Sequence, residues 1–567
     1  MNTILQLSVL ALGLFGSVCA SERFTVALAH DPAGVNALQK AVYRMSDYQD
    51  AQYGQFWTVD QILNVVEPPV IVQMYVLGIL TNAGITCENH RDVLFCTGNT
   101  RAVNRFFKID SQRVDYTLPE SLKPYVVFVD GISNRDRPSA ITPKKNVTTD
   151  GTADPGYVGT QGLRRLYNIP RVLLVNTSLA SIEYQNQSGF SNPDLLTSQQ
   201  MNGLLKNPIS KNHTIGTDVQ PDTETELDVQ MESQLAEGGT LWFWGGEQWL
   251  YSWAVKFFNT PVVPHVASHS WGWAIDQQCT LNVCNNITNQ QYVNRTNVEY
   301  LKIAARGITM VTASGDSGAP GRTDEDCGGV NRTVVSVFPG SSPYVLSVGA
   351  TFVVASSSNN SRSPCGETPL CQKNQCANGT AEAVVNYANV SWTAGGGFGS
   401  DVTEPIPPWQ EPAVQGYLDQ KLPMPTHYNR NKRVYPDISA VGHNCPTWQN
   451  GMLSPVDGTS CSSPTMASIV ALLNSHQQAR GRPRLGLAAP IFYAMYYDRP
   501  NVFNDIKTGN NWCTESLCCP TRSDGGSDYG YTAGAGFDPV TGLGTPNVGA
   551  MLKWLDEHTG LLSRMEH

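Results

Sequence analysis

Charge is the first thing this chain has little of. Only 15% of its 567 residues are Asp, Glu, Lys or Arg, against roughly a quarter in ordinary globular chains. With 41% apolar residues, that balance excludes a disordered polymer, which needs high charge and low hydrophobicity. A basic excess is missing too: 38 Lys and Arg face 48 Asp and Glu, for a formal charge of −10. A nucleic-acid binder relying on a positive surface is thereby excluded. No stretch beyond the first twenty residues approaches the roughly 18 uninterrupted apolar residues that a membrane span needs, so no membrane partner is expected. There is no short-period repeat and no coiled coil. Zinc chemistry also lacks its motif. His265 and His269 give H-x-x-x-H, but Val266 stands where a zincin has glutamate. The segment around them reads as strand, where residues four apart lie about 13 Å from each other.

What is there points to the secretory route. An apolar run from Ile4 to Phe15 is followed by the small-residue ending Gly16-Ser17-Val18-Cys19-Ala20, the pattern of a signal peptide cleaved after Ala20, although the run has no Lys or Arg before it. Ten Asn-x-Ser/Thr sequons follow, at Asn146, Asn176, Asn186, Asn212, Asn286, Asn294, Asn331, Asn359, Asn378 and Asn389. Losing Cys19 with the leader leaves thirteen of the fourteen cysteines, so disulfides are expected with at least one thiol left over. Extracellular space, lysosome and vacuole are equally compatible destinations.

Residues 21–132 read as one compact unit, helical over Ala37 to Tyr53 and Val59 to Glu67 and strand-like over Val93 to Cys96 and Tyr125 to Val129, with Cys87 and Cys96 able to close a hairpin. Residues 133–159 are polar and rich in Pro, Gly and basic residues, which suits an exposed, cleavable linker. From residue 160 to 567, β-branched runs (Val172 to Val175, Val262 to Ala267, Gly307 to Thr312, Tyr344 to Val348) alternate with helical segments around Leu227 to Ala236, Val298 to Ala305 and Pro464 to Gln477. That alternation predicts an α/β domain with a largely parallel sheet. The polar, cysteine-bearing stretch from Ser356 to Ala381 reads as a surface insertion.

Three segments carry chemistry. Asp222 to Glu237 has no Gly or Pro and reads as helix. At about 100° per residue, Glu224, Asp228, Met231 and Leu235 fall within about 60° of one another, whereas Glu226 and Glu237 point the opposite way, to water. Two carboxylates one turn apart on an apolar face resist ionising together, so one should keep its proton to high pH and the pair can act as base and acid. The same residues would also serve as a helix cap and macrodipole partners. In Val456 to Thr465, Ser460 stands at a helix start where free backbone N–H groups could stabilise an oxyanion; a plain N-cap is the alternative. Thr312 to Ala319 follows an apolar run. Asp316 would then lie at a strand's carboxyl end, where open parallel sheets place their active crevice, unless it forms an Asx-turn.

Taken in order and separation, E-x-x-L-D at 224–228, SGDSGA at 314–319 and GTS-x-x-x-P at 458–464 resemble the sedolisin family of serine-carboxyl peptidases, most of all its tripeptidyl peptidases. Phe338-Pro339, Gly395-Gly396-Gly397-Phe398, Tyr435-Pro436-Asp437 and Asp538-Pro539-Val540-Thr541-Gly542 add to the resemblance. It implies a subtilisin-like catalytic domain with a mostly parallel sheet, preceded by an α+β, ferredoxin-like inhibitory prodomain. It also implies a zymogen active in acid, with Ser460 as nucleophile, Glu224 as general base, Asp228 orienting Glu224, and a protonated Asp316 as oxyanion donor. A Ca²⁺ site is implied at Asp505, Ile506, Gly534, Gly536 and Asp538. Substrates would be peptides or unfolded proteins, the prodomain an intramolecular inhibitor, and the enzyme a monomer. Two positions depart from the family pattern: Asp457 stands where Ser is usual, and Cys461 where a small inert residue follows the nucleophile.

Rival readings fit less well. A Ser-His-Asp peptidase lacks its histidine, since none of the ten sits in a His-Gly-Thr setting and both His427 and His443 lie in Pro- and Asn-rich loops. A glycosidase could stack sugars on Trp242, Phe243, Trp244, Trp249 and Trp253, but those rings read better as core, and Ser460 would have no task. A sedolisin-type endopeptidase and an inactive peptide-binding homologue are the remaining alternatives.

Overall fold

The computed structural model describes residues 21–109, 116–132, 144–145, 156–185, 189–216, 220–281, 284, 287–328, 334–354, 368–373, 376–377 and 381–559. The expected leader and nearly all of the expected linker lie outside these residues, as does most of the expected insertion. The chain forms two compact units, one comprising residues up to 29 with 68–135, the other 30–67 with 136–567.

In the first unit the strands Ile85–Asn89, Val93–Asn99, Ser21–Leu28 and Val126–Asp130 lie side by side in that order, every pair antiparallel. Numbered along the chain this is 4-1-3-2, the order of the ferredoxin-like fold that the resemblance implies. Cys87 and Cys96 are direct neighbours across the hairpin and are joined by a disulfide, as expected. The apolar helix Val70–Asn82, absent from the sequence reading, leaves Val70, Ile71, Met74 and Tyr75 exposed.

The second unit is built on one sheet whose strands run in the order Ala381–Val384, Leu346–Val354, Thr309–Ala313, Val266–His269, Ser178–Tyr184, Thr240–Glu247 and Thr214–Ile215, with Ile438–Val441 also pairing with Leu346–Val354. All these pairs are parallel except the one at the Ala381–Val384 edge. Two expected strands fall short. Val172 to Val175 is irregular, because Leu174 N bonds the Glu237 carbonyl and Val175 N the Ser475 hydroxyl, leaving no ladder partner. Val262 to Ala267 becomes a strand only from Val266, since Pro261 and Pro264 remove ladder donors before it.

The buried helices Thr223–Leu235 and Thr459–Gln478 run against each other beside this sheet. Trp242, Phe243, Trp244, Trp249 and Trp253 are all buried, in agreement with a core role. The unit also contains the early helices Pro32–Ser46, capped by Asp31, and Val59–Val66, held by a Thr58/Gln61 capping box. Between them the Phe56 ring rests against Gly307 and Gly486. Both glycines have positive φ (77° and 63°), and a Cβ on either would come within 2.3 and 2.6 Å of the ring. The described disulfides are Cys87–Cys96, Cys279–Cys284, Cys327–Cys519, Cys371–Cys376, Cys445–Cys461 and Cys513–Cys518. The two cysteines outside these pairs, Cys19 and Cys365, lie outside the described residues. The described sequon asparagines, Asn176, Asn212, Asn294 and Asn389, are all exposed. Among the described residues no single helix is long and apolar enough to cross a membrane.

Candidate active site

Four carboxylic acids and one serine meet at the carboxyl ends of three neighbouring parallel strands. The Thr223–Leu235 helix begins at Asp222, whose side chain accepts from Thr225 N at 2.9 Å, and carries Glu224 and Asp228 one turn apart. The amphipathic reading of this helix is overturned on one side. Glu226 and Glu237, expected in water, are buried too. The helix is covered all round, so Glu226 is met by Ser191 N at 2.8 Å and Gln230 Nε2 at 2.9 Å. Glu237 accepts from Leu205 N and pairs with Arg164 and Arg171. Low charge in the sequence did not prevent the interior from holding acids.

Ser460 is the second residue of the long Thr459–Gln478 helix and is 1% exposed. Gly458 precedes it at φ 148°, a conformation suited to glycine, and a Cβ there would sit 3.4 Å from Asp316 Oδ2. The Ser460 hydroxyl lies 3.5 Å from the Ser270 carbonyl and near enough to Glu224 to favour its ionised form, while both buried carboxylate oxygens of Glu224 have no hydrogen-bond partner among the described residues. Burial acts the other way and, with the nearby Asp316 and Asp222, pushes the Glu224 carboxyl above its usual range. Asp228, wholly buried and facing Glu183, Glu224 and Glu232, is also held well above the usual range.

Pro464 sits inside the first turns of this helix. Lacking an N–H, it cannot bond the carbonyl four residues back, which is that of Ser460. Ser270 Oγ fills the gap at 3.3 Å and simultaneously lies 2.9 Å from Asp228 Oδ1. A hydroxyl has one proton. With Asp228 neutral, the carboxylic acid donates to Ser270 and Ser270 donates to the Ser460 carbonyl, so both contacts are satisfied.

Asp316 follows the strand Thr309–Ala313 in the loop where the sequence placed it. Its Oδ1 accepts from Thr459 N at 2.8 Å and Thr459 Oγ1 at 2.7 Å, and burial makes it a weaker acid, with its pKa raised above the ordinary carboxylate value. A mostly apolar cavity opens beside it, lined by Trp273, Ala274, Arg322, Val335 and Val337 among others.

Imidazoles are occupied elsewhere. His269 Nδ1 is 2.8 Å from the Tyr184 hydroxyl, and burial lowers this histidine to about 3; His443 Nδ1 is 2.9 Å from Asp457 Oδ2. Sequence reasoning missed Ser270, Trp271 and Glu183. Trp271 Nε1 donates to Glu183 Oε2 at 2.7 Å, and burial together with neighbouring acids holds Glu183 well above its usual range. The available signal was positional: Glu183 lies at the end of the strand Ser178–Tyr184 and Ser270-Trp271 directly after Val266–His269, the same strand-end location that singled out Asp316.

At the other candidate centre, Asp505 Oδ2 accepts from Gly536 N at 2.9 Å and Asp538 Oδ2 from Gly534 N at 3.0 Å. The two carboxylates thus close on one glycine-rich turn, with Ile506 next in chain. Asp538 is fully buried, and that burial pushes it up to about 7. Two carboxylates brought to one glycine-rich turn are hard oxygen donors of the kind a divalent cation such as Ca²⁺ takes.

The comparisons agree with this architecture. The subtilase family pattern matches residues 245–484 and the pro-kumamolisin activation domain matches residues 16–135. Physarolisin from Physarum polycephalum is 35% identical over 555 residues, covering 94% of this chain and 93% of its own. Tripeptidyl-peptidase 1 from Mus musculus is 28% identical over 582 residues, covering 95% and 93%. The solved structure of Pseudomonas sedolisin, a serine-carboxyl proteinase complexed with two molecules of pseudo-iodotyrostatin, superposes with a TM-score of 0.52 at 22% identity, over 72% of this chain and all of that one. It supports the fold. The chain belongs to the sedolisin family of serine-carboxyl peptidases. It is a serine peptidase made with an activation domain ahead of its subtilisin-like domain.

Proposed function

We propose that this peptidase works in acid through Ser460, Glu224, Asp228 and Asp316. Glu224, ionised in the fraction that reacts, takes the proton from Ser460 Oγ as that oxygen attacks the substrate carbonyl. The C–N bond then breaks, and Glu224 returns the proton to the leaving amine. Water hydrolyses the acyl-enzyme by the same route. Asp228, neutral, fixes the Ser270 hydroxyl and keeps negative charge on Glu224. Asp316 donates a hydrogen bond to the developing oxyanion, which it can do only while protonated. The observation that carries this reading is a buried Ser460 hydroxyl beside a buried Glu224, with the neighbouring imidazoles bonded to Tyr184 and Asp457.

The similarity to tripeptidyl-peptidase 1 supports release of tripeptides from free N-termini, and the apolar cavity at Asp316 supports an apolar side chain near the cleaved bond. Ca²⁺ would be held by Asp505, Ile506, Gly534, Gly536 and Asp538, where its task is to tie the loops together. Residues 1–20 are proposed as leader, 21–132 as the inhibitory prodomain, 133–159 as the cleaved linker and 160–567 as the catalytic domain. Disulfides and exposed sequons support a secretory-pathway destination, extracellular or lysosomal.

Incubating the secreted protein with a defined oligopeptide at about pH 4 and sequencing the products tests the assignment. Tripeptides, together with an inactive, unprocessed Ser460→Ala variant, are expected. Internal fragments would favour the endopeptidase, and an active Ser460→Ala variant would refute the nucleophile.

A further inference from the structure

Glu224 and Ser460 lie on separate helices, and their mutual placement has to hold to a fraction of an ångström for proton transfer. A misplacement of about 1 Å can cost roughly a hundredfold in rate. Besides Ser270, which bonds to both helices, a larger element is fastened to each of them. It is the hairpin formed by the antiparallel strands Cys445–Gln449 and Met452–Asp457, whose second strand runs directly into Gly458-Thr459-Ser460.

On the nucleophile side the fastening is covalent. Cys461, the residue after Ser460, forms a disulfide with Cys445, and both are fully buried. The approach to the helix is tied as well: Gly458 N bonds the Gly442 carbonyl at 2.9 Å, and Asp457 accepts from Asn444 N at 2.8 Å. On the acid side the fastening is a side-chain amide acting as a strand neighbour. Gln230, two residues beyond Asp228, donates from Nε2 to the Trp448 carbonyl at 2.7 Å and accepts at Oε1 from Trp448 N at 2.8 Å. Thr223 Oγ1 adds a bond to Gln449 Oε1 at 3.0 Å, beside the start of the same helix. The hairpin tip is pinned in turn, since Asp194 accepts from Asn450 N and Gly451 N at 2.9 and 2.8 Å.

We propose that this hairpin is the frame that registers the two halves of the catalytic machinery, and that the Cys445–Cys461 bond and the Gln230–Trp448 clasp are positioning groups for Ser460 and Glu224. This rests on the assignment of those two residues made above. It also gives a task to Cys461, which departs from the family pattern. None of these groups reaches the reacting atoms, so they act through the alignment of the two residues that do. The bond adds a covalent restraint to the first turn of the nucleophile helix, which hydrogen bonds to Ser270 and Asp316 already hold.

The test compares mature wild-type enzyme with Cys445→Ala/Cys461→Ala and with Gln230→Met. The readouts are kcat, KM and the rate of covalent labelling by a peptide aldehyde, which adds to the serine hydroxyl as a hemiacetal, each per folded molecule. A positioning role predicts kcat and labelling rate reduced about ten- to hundredfold with KM within about twofold, because ground-state binding is spared. A smaller loss of the same kind is expected in Gln230→Met, and combined variants should lose less than the product of the separate losses, since one hairpin carries both effects. A bond that served stability alone would lower the melting temperature and leave kcat per folded molecule unchanged, which would overturn the proposal. Should the double variant fail to mature, Gln230→Met decides, and an unchanged kcat there is equally fatal. Failure of the underlying assignment would look different: Ser460→Ala would retain wild-type turnover, whatever the hairpin variants did.

Discussion

Pro464 leaves the Ser460 carbonyl without a helical donor, and the Ser270 hydroxyl supplies one from 3.3 Å away while resting 2.9 Å from Asp228. A residue four positions after Ser460 thereby decides what the helix carrying Asp228 can touch. Ser270→Ala should fold, since it removes one hydroxyl, but it leaves a buried carbonyl and Asp228 Oδ1 without their common neighbour. We expect kcat to fall about tenfold or more with KM little changed. Steady-state kinetics on an oligopeptide substrate check this, and an unchanged kcat would make Ser270 a bystander.

Asp316 gives a prediction about the alkaline limb of activity. Asp316→Ala should cost about 10²–10³ in kcat, the usual loss for one oxyanion donor. Asp316→Asn keeps an acceptor for Thr459 and supplies N–H donors that do not titrate. Its activity should therefore be partly retained and persist to higher pH than that of the wild type. A pH profile of kcat with the same alkaline limb in both proteins would remove Asp316 from the oxyanion site.

Stability should fall as pH rises. Burial lifts Glu226 from 4.5 to about 8, and Glu183 and Glu232 are displaced in the same direction. In this case the folded protein holds protons that the unfolded chain has released. The stabilisation is complete below 4.5 and is lost progressively up to about 8. Thermal unfolding followed across that window should show a melting temperature several degrees lower at the alkaline end. Glu226→Gln, isosteric and uncharged, should flatten part of that slope.

Removing divalent cations should loosen the loops around Asp505 and Asp538. Calcium chelation is expected to lower the melting temperature, with Asp538→Asn behaving as a chelated enzyme that no longer responds to added Ca²⁺. Thermal shift assays with and without chelator decide it, and identical curves would remove the metal.

The sequence marked the candidate residues of this site better than their surroundings. Glu224, Asp228, Asp316 and Ser460 were readable because each breaks a local rule or sits at a helix start or strand end. Glu226 and Glu237 were misjudged, because helical periodicity reports which face is apolar and says nothing when neighbours cover every face. Ser270 and Glu183 carry no signature beyond their strand-end positions; the order of the parallel strands is what brings them beside Asp228. Val172 to Val175 looked like a strand by composition, yet its backbone bonds to Glu237 and Ser475 instead of a neighbouring strand. The Cys445–Cys461 pairing depends on a hairpin that folds sixteen residues back on themselves, which cysteine counting alone does not reveal.

Phe56 rests in a slot whose two walls are glycines, so any methyl group added at 307 or 486 would fill the room the ring occupies. An aromatic plug held by bare backbone on both sides has no side chain that could swing away to admit or release it. Release of residues 30–67 from the core of the second unit would therefore be governed by the ring's withdrawal as a whole, and shaving that ring to alanine should shorten the life of the latent form.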